Sequence, residues 1–373
     1  MSYATRTELY ERISDLRGRP LIVYVTSSRQ QASGQMSGDV IPQFAKLLSE
    51  IPDGANAIDI LIVSNGGDPI VPWRVISMIR EKYATVGALL PYAAYSAATL
   101  LALGADEIVM HPFSNLGPVD PQLQHQRRIP GQPPGQEMEV INFGSEDLRN
   151  FLDFVKTDVG ISDQEQLEKA FELICRDVGA IPIGVAKRST QLALSMSEKL
   201  LGLHLGDTSR ARAIAEALNR SFYHHGYPLG LSEAKKIGLP VVSPEPELEK
   251  ALWAVWQDLE EEMACNTPFN PVEVVLQSSE ASALLGPVPQ IQLPVNLPPQ
   301  MAEQVFQNIL TQIKVVPVPP VEYNLFQATL ESLWCRSEFR TIGKINATRL
   351  PDMNIAVSIV QVSSGWRFIK THA

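Results

Sequence analysis

The chain has 373 residues, 45% of them hydrophobic, which is enough apolar material for a sizeable core and a length that suits two domains. A formal net charge of −10 excludes a basic nucleic-acid surface and, equally, an electrostatic grip on an anionic membrane. Three widely spaced cysteines, Cys175, Cys265 and Cys335, offer neither a disulfide framework nor a zinc site and fit a reducing, cytoplasmic setting.

The first 20 residues are charged, helical in pattern and free of any apolar stretch of the signal-peptide kind. "PLIVYVT" at 20–26 predicts a buried strand; a polar stretch and an amphipathic helix over 40–50 follow. "AIDILIVSNGGDP" at 57–69 predicts a second strand ending in a Gly-Gly turn. Over 70–83, Val71, Val75, Met78 and Ile79 recur at helical spacing. The run from Tyr83 to Ala105 carries no charge and is long enough for a membrane span. Gly87, Pro91, Ser96 and Thr99 interrupt it, however. A buried strand over 84–90, stopped at Pro91, and a buried helix beginning near Ser96 account for it better, so no integral membrane segment is expected. "DEIVMHP" at 106–112 gives a further strand. This alternation predicts βαβ units and a largely parallel sheet, whose strands, covered on both faces, read as continuous apolar runs.

Residues 122–136 are polar, with Pro and Gly, and predict a mobile loop or an insertion. Helices are expected over 145–175, 183–201, 230–241 and 246–263. Eight prolines between Pro287 and Pro320 predict an extended connector on the surface. Beyond it, 322–340 has helical spacing, while 344–350 and 355–370 have strand patterns, together a small α+β unit. The expected divisions are 1–265, a connector over 266–320, and 321–373.

The residues that carry chemistry gather between Gly66 and Ala97. Glycines at the C-terminal end of a parallel strand let backbone amides approach a ligand. Ser96 opens a helix, at the positive end of its dipole, and Ala93, Ala94, Ala97 and Ala98 leave room around it. That is the steric logic of a nucleophile elbow without the Gly-x-Ser-x-Gly motif. Amides of Gly66 or Gly67 and of Ala97 then form an oxyanion hole. A plain helix N-cap serine beside an ordinary turn explains the same residues. Asp68 either touches substrate or caps the next helix, and Asp120 either orients the site or holds a subunit contact. The adjacent His224 and His225 point in different directions, make a poor metal pair and are expected in packing or rim contacts.

Four stretches in this order, "IVSNGGDP", "AAYSAATLLALGADEIVMHP", "LGPVDPQL" and "YPLGLSEAKKIGLPV", resemble the Clp-fold serine peptidases, specifically the serine dehydrogenase proteinase branch, which is similar to signal peptide peptidase A. The resemblance spans roughly Leu21–Val242. It implies an α/β fold with a Clp/crotonase-like ββα spiral core over 1–265, a homo-oligomer, a peptide or protein substrate, and neither cofactor nor metal. It also implies Ser96 as nucleophile and Gly66–Gly67 as oxyanion contacts. A Clp protease carries its histidine soon after the strand following the nucleophile helix. Here Val119-Asp120-Pro121 stands in that place, His111 comes too early and His125 lies in the polar loop. Peptidases similar to signal peptide peptidase A use a lysine further along, which the resemblance puts at Lys187. At helical spacing Lys187 shares a face with Ile183, Thr190 and Leu194, where desolvation would favour the neutral amine as a base; a lysine reaching to solvent is the alternative. Lys199, Lys156 and Lys169 are further candidates. Outside the peptidase class, a crotonase-like acyl-CoA enzyme or a non-catalytic oligomeric scaffold with a partner-binding C-terminal unit would use the same frame.

Overall fold

The computed structural model describes residues 3–128, 138–220, 224–285, 298–312, 318–350 and 354–370. The N-terminal third alternates as expected: α1 (Tyr3–Arg17), β1 (Leu21–Thr26), α2 (Ile41–Glu50), β2 (Ala57–Val63), α3 (Ile70–Arg80), β3 (Thr85–Leu90), β4 (Ala93–Ala94), α4 (Ala97–Leu103), β5 (Glu107–Met110) and β6 (Asn115–Leu116). The uncharged run is thus a strand, a two-residue strand and a short buried helix. Among the described residues no helix is long and apolar enough to cross a membrane. β1, β2, β3 and β5 pair in parallel. β4 and β6 form a separate two-stranded parallel sheet, tied to the end of β2 by a Ser64–Ala94 bridge. The expected ββα unit is complete at β3–β4–α4.

The stretch expected as a loop over 122–136 is instead an antiparallel hairpin, β7 (Gln122–Arg128) and β8 (Met138–Gly144); its tip, 129–137, lies outside the described residues. Four helices follow, α5 (Ser145–Thr157), α6 (Gln164–Asp177), α7 (Ala180–Leu201) and α8 (Thr208–Arg220). Then come α9 (Leu231–Lys236), β9 (Val241–Val242), which pairs with β5, and α10 (Pro246–Glu262). The connector over 266–320 holds α11 (Pro271–Gln277), α12 (Ser279–Leu285) and α13 (Pro299–Gln312), of which α13 falls within the stretch 287–320 expected to be extended. Pro271 and Pro299 each stand at the first helical position, where a missing N–H costs nothing. The proline-dense parts at 286–297 and 313–317 lie outside the described residues.

The C-terminal segment departs furthest from expectation. Residues 322–340 are not a helix but belong to β10 (Val321–Glu331) and β11 (Cys335–Arg349), with β12 (Ile355–Lys370) completing an antiparallel meander. Tyr323, Phe326, Leu330 and Leu333 recur at three and four residues and so mimic a helix. The cause is a bulge between Phe326 and Ala328, which shifts the phase of the period-two pattern in mid-strand. β10 pairs antiparallel with β1, so the meander extends the central sheet to the order β12-β11-β10-β1-β2-β3-β5-β9. The expected small α+β unit is, in its described residues, an all-β extension of that sheet.

Every residue of β1 is buried. Ile22 and Tyr24 face a core shared with α2, α3 and α4, while Leu21, Val23 and Val25 face a second core shared with α1 and α10. On the second side Arg6 is fully buried and joins three elements. Its Nη2 donates to Glu331 Oε1 at 2.9 Å and its Nη1 to Asp258 Oδ2 at 2.5 Å and Glu262 Oε2 at 2.5 Å. Tyr10 donates to Glu331 Oε2 at 2.5 Å. The first helix, α10 and the end of β10 are therefore locked by one guanidinium.

Candidate active site

Ser96 is the last residue before α4, with φ 54° and ψ −118°. Positive φ in a residue that has a Cβ is strained, by roughly 1–3 kcal/mol, and such strain collects at functional sites. Here it turns the chain sharply between β4 and α4, and the serine side chain caps nothing. Hydrogen bonds hold the turn in place. Ser64 N donates to Ala93 O at 3.0 Å and Tyr95 N to Ser64 O at 2.9 Å. Thr99, wholly buried, has its Oγ1 2.8 Å from both Ala94 O and Gly117 O, which share its one proton. Burial raises the Tyr95 phenol above its ordinary range, so the neighbouring hydroxyl stays protonated at neutral pH and is no base.

The Gly-Gly turn abuts this elbow. Gly66 has φ 95° and Gly67 φ 150°. A Cβ on Gly66 would stand 2.6 Å from Tyr95 O and 2.8 Å from Ala97 N; one on Gly67 would stand 2.1 Å from Met36 O. Glycine is therefore demanded twice, by conformation and by space. The amides differ in availability. Gly66 N donates to Ser64 Oγ at 3.1 Å, whereas Gly67 N and Ala97 N have no hydrogen-bond partner among the described residues. Gly67 and Ala97 are thus the two free donors beside Ser96.

Ser96, Gly66 and Gly67 line a cleft of about 580 Å³, closed on other sides by Leu100, Val119, Asp120 and, from α7, Leu192 and Ala193. His225 lies on the same wall. Its Nδ1 stands 2.8 Å from Asp120 Oδ1, and Gln122 Nε2 donates to Asp120 Oδ2 at 2.7 Å. Both carboxylate oxygens are thereby engaged. With Nδ1–H donating to Asp120, the other ring nitrogen, Nε2, is left with its lone pair.

The expected residues fare differently. Ser96, Gly66, Gly67 and Asp120 come together, with Ala97 against Gly66. Asp68 does not line the cleft; its Oδ1 accepts from Ile70 N at 2.9 Å and caps α3. Lys187 is exposed and also does not line the cleft. The face of α7 turned inward carries Ser189, Leu192 and Ala193, more than 100° around the helix from Lys187, so the desolvated setting expected for the amine is not the one it has. His225 was expected in packing or rim contacts and instead lines the cleft paired with Asp120. Nothing in one sequence joins residues 105 positions apart. Among the described residues no three His, Cys, Asp or Glu side chains are grouped as for a metal ion.

Comparison with known proteins bears on this corner. Residues 44–130 match the family of ClpP-like SDH-type serine proteinases. The matched ClpP-like stretch includes Gly66, Gly67, Ser96 and Asp120 and stops before both Lys187 and His225. Two uncharacterized proteins of Methanocaldococcus jannaschii are similar: MJ0137, 27% identical over 190 residues, 51% of this chain and 55% of that protein, and MJ1495, 25% identical over 189 residues, 51% and 53%. The chain thus spans about half the length of the curated relatives it matches. Similar solved structures include two of the 1510-N membrane-bound stomatin-specific protease. A serine-to-alanine mutant has TM-score 0.31 and 18% identity, covering 66% of this chain and 85% of that one. A lysine-to-alanine mutant in complex with a substrate peptide has TM-score 0.33 and 20% identity, covering 61% and 77%. A ClpP1 mutant from Listeria monocytogenes has TM-score 0.29 and 14% identity, covering 64% and 99%.

Proposed function

We propose that this chain is a serine peptidase in which Ser96 is the nucleophile, His225 the general base and Asp120 the group that orients it. The observation that carries this reading is the 2.8 Å pairing of His225 Nδ1 with Asp120 Oδ1 on the wall of the Ser96 cleft. In the acylation step Ser96 Oγ attacks the scissile carbonyl carbon and its proton passes to His225 Nε2. The oxyanion accepts from the Gly67 and Ala97 amides, fixed in advance and needing no reorganisation. Collapse breaks the C–N bond, His225 returns the proton to the leaving amine, and water repeats the sequence on the acyl-enzyme. Asp120 fixes the ring's tautomer and steadies the imidazolium. The family-level expectation of a lysine base keeps Lys187 as the competing assignment, and the two are separable by substitution.

A serine-directed fluorophosphonate should modify Ser96, as peptide mapping would reveal, and Ser96→Ala should abolish both labelling and peptide hydrolysis; labelling that persists in the mutant overturns the assignment. A crotonase-like acyl-CoA reading would use the same amides but has no need of a strained serine or of the Asp120–His225 pair. Assembly of several copies belongs to the same proposal. Phe154, Phe171, Leu173 and Ile181, on the neighbouring helices α5, α6 and α7, are exposed, with Ile181 at 82%, and large exposed apolar patches mark interfaces. Light scattering at micromolar concentration should give a closed oligomer and not a 41 kDa species.

A further inference from the structure

The Ser96 cleft does not end at the segment 33–35. A second groove, of about 280 Å³, begins there, because Ser33, Gly34 and Gln35 line both cavities. Its other side comes from the C-terminal meander: Gln327 and Ala328 at the bulge of β10, Phe339 of β11 and Trp366 of β12. We propose that this groove is a second subsite for the peptide chain held at Ser96, and that it accepts a large aromatic side chain away from the scissile bond. The proposal rests on the serine peptidase reading for the identity of its occupant.

Continuity is the first support. The dividing segment is extended, with Ser33, Gln35 and Ser37 exposed and Gly34 and Met36 buried in alternation. It is also fixed at both sides. Toward the meander, Ser27 N donates to Gln327 O at 2.8 Å and Gln327 Nε2 to Ser33 O at 3.2 Å. Gly34 lies so close that a Cβ there would stand 1.9 Å from Gln327 O. Toward the catalytic corner, Met36 N donates to Gly66 O and Asp68 N to Met36 O, both at 2.8 Å. A chain crossing from one cavity to the other therefore passes over a wall whose position is set by the oxyanion turn and by β10 together.

Chemistry is the second support. Phe339 and Trp366 meet edge to face, with centroids 5.6 Å apart and planes at 75°, a corner into which a third ring fits with favourable quadrupole contacts. The Trp366 Nε1 is buried and has no hydrogen-bond partner among the described residues. Buried indole N–H groups are ordinarily paired, and a main-chain carbonyl of a bound peptide would supply the acceptor. Of the residues lining the groove only Asp39 is charged, and it is exposed, so acidic peptides are disfavoured.

The test uses binding, not turnover. Fluorescein-labelled ten-residue peptides of Ala, Ser and Gly, with a single Phe walked along them, are titrated by anisotropy into the full chain bearing Ser96→Ala. One Phe position should tighten binding roughly tenfold, and Trp366→Ala or Phe339→Ala should erase that preference. Should those variants fail to fold, Ser37→Trp, on the exposed bank, should block the same position from the solvent side. No positional preference, or one indifferent to all three substitutions, overturns the proposal. Because the readout is binding, a wild-type chain that binds with the positional preference yet never cleaves would remove the peptidase reading and leave the subsite standing, whereas cleavage without the preference would do the reverse.

Discussion

Two acid–base clusters lie on opposite sides of the same sheet and are built to opposite ends. Around Arg6, the guanidinium and the Glu331 and Asp258 side chains are fully buried, and one cation serves three carboxylates and, through Glu331, a tyrosine. Around Asp120, the carboxylate is nearly buried, the His225 ring is one-third exposed, and one ring nitrogen is left over on the wall of the cleft that the strained Ser96 also lines. In the first cluster every charge has a partner and only Glu262 reaches solvent; it joins elements. The second is half open and keeps one basic atom free. Burial and partner count, more than the presence of charge, separate a structural ion cluster from a reactive one.

The comparison breaks most visibly if the half-open cluster turns out to be inert. His225→Ala should lower peptide hydrolysis by ~10²–10⁴-fold at unchanged thermal stability. Asp120→Asn should fall in the same range, because an amide no longer holds the ring in its working tautomer. Steady-state rates on one fluorogenic peptide check both, and near-wild-type turnover in His225→Ala would return the base to a lysine. At the buried cluster, Arg6→Ala strands carboxylates in the core, and a loss of about 3–5 kcal/mol is expected. Chemical denaturation should register it, while Ser96 labelling per folded molecule should hold. Lys187→Ala, on an exposed helix face, should change the rate by less than about twofold; a large loss there would overturn the distinction drawn from burial.

The smallest effect concerns pH. His204 lies under α4 with its Nε2 3.0 Å from Leu103 O. Burial holds its pKa below the usual imidazole range, although the Leu103 carbonyl pulls the other way. The folded chain therefore binds this proton less readily than the unfolded chain, whose histidines protonate near pH 6.5. Its stabilising contribution is complete above about that pH and is lost as pH falls toward the folded pKa. Melting temperature should drop slightly between pH 7.5 and 5, and His204→Gln should flatten part of the drop.

Much of the candidate active site was legible because local chemistry dictates it. Ser96 among alanines, and two adjacent glycines after an apolar strand, can be seen in a dozen residues. The parallel strands were equally plain, since burial on both faces writes itself as unbroken apolar runs. What escaped depends on distance or on phase. His225 meets Asp120 only through the fold, and Ser64 and Thr99, which brace the elbow, look like any polar residue in a line of sequence. On α7, helix rotation decides which of Lys187 and Leu192 faces the cleft, and spacing within one segment does not say which way that rotation falls. At β10 a single bulge turned a period of two into apparent spacings of three and four.

The lock around Arg6 also sets a timetable. Its partners on β10 lie 325 residues further along the chain, and β1 has β10 as its neighbour on that flank. At ~5–20 residues per second, ribosomal synthesis separates the two by roughly 15–65 s. Throughout that interval the first helix holds a cation without Glu331, and the first strand offers an open, largely apolar edge to whatever is near. Such an edge is a template for mispairing. Newly made chains of this protein should therefore lean on holdase chaperones until the last strands emerge, and a release from the ribosome ahead of β10 should yield aggregates, not a smaller folded protein.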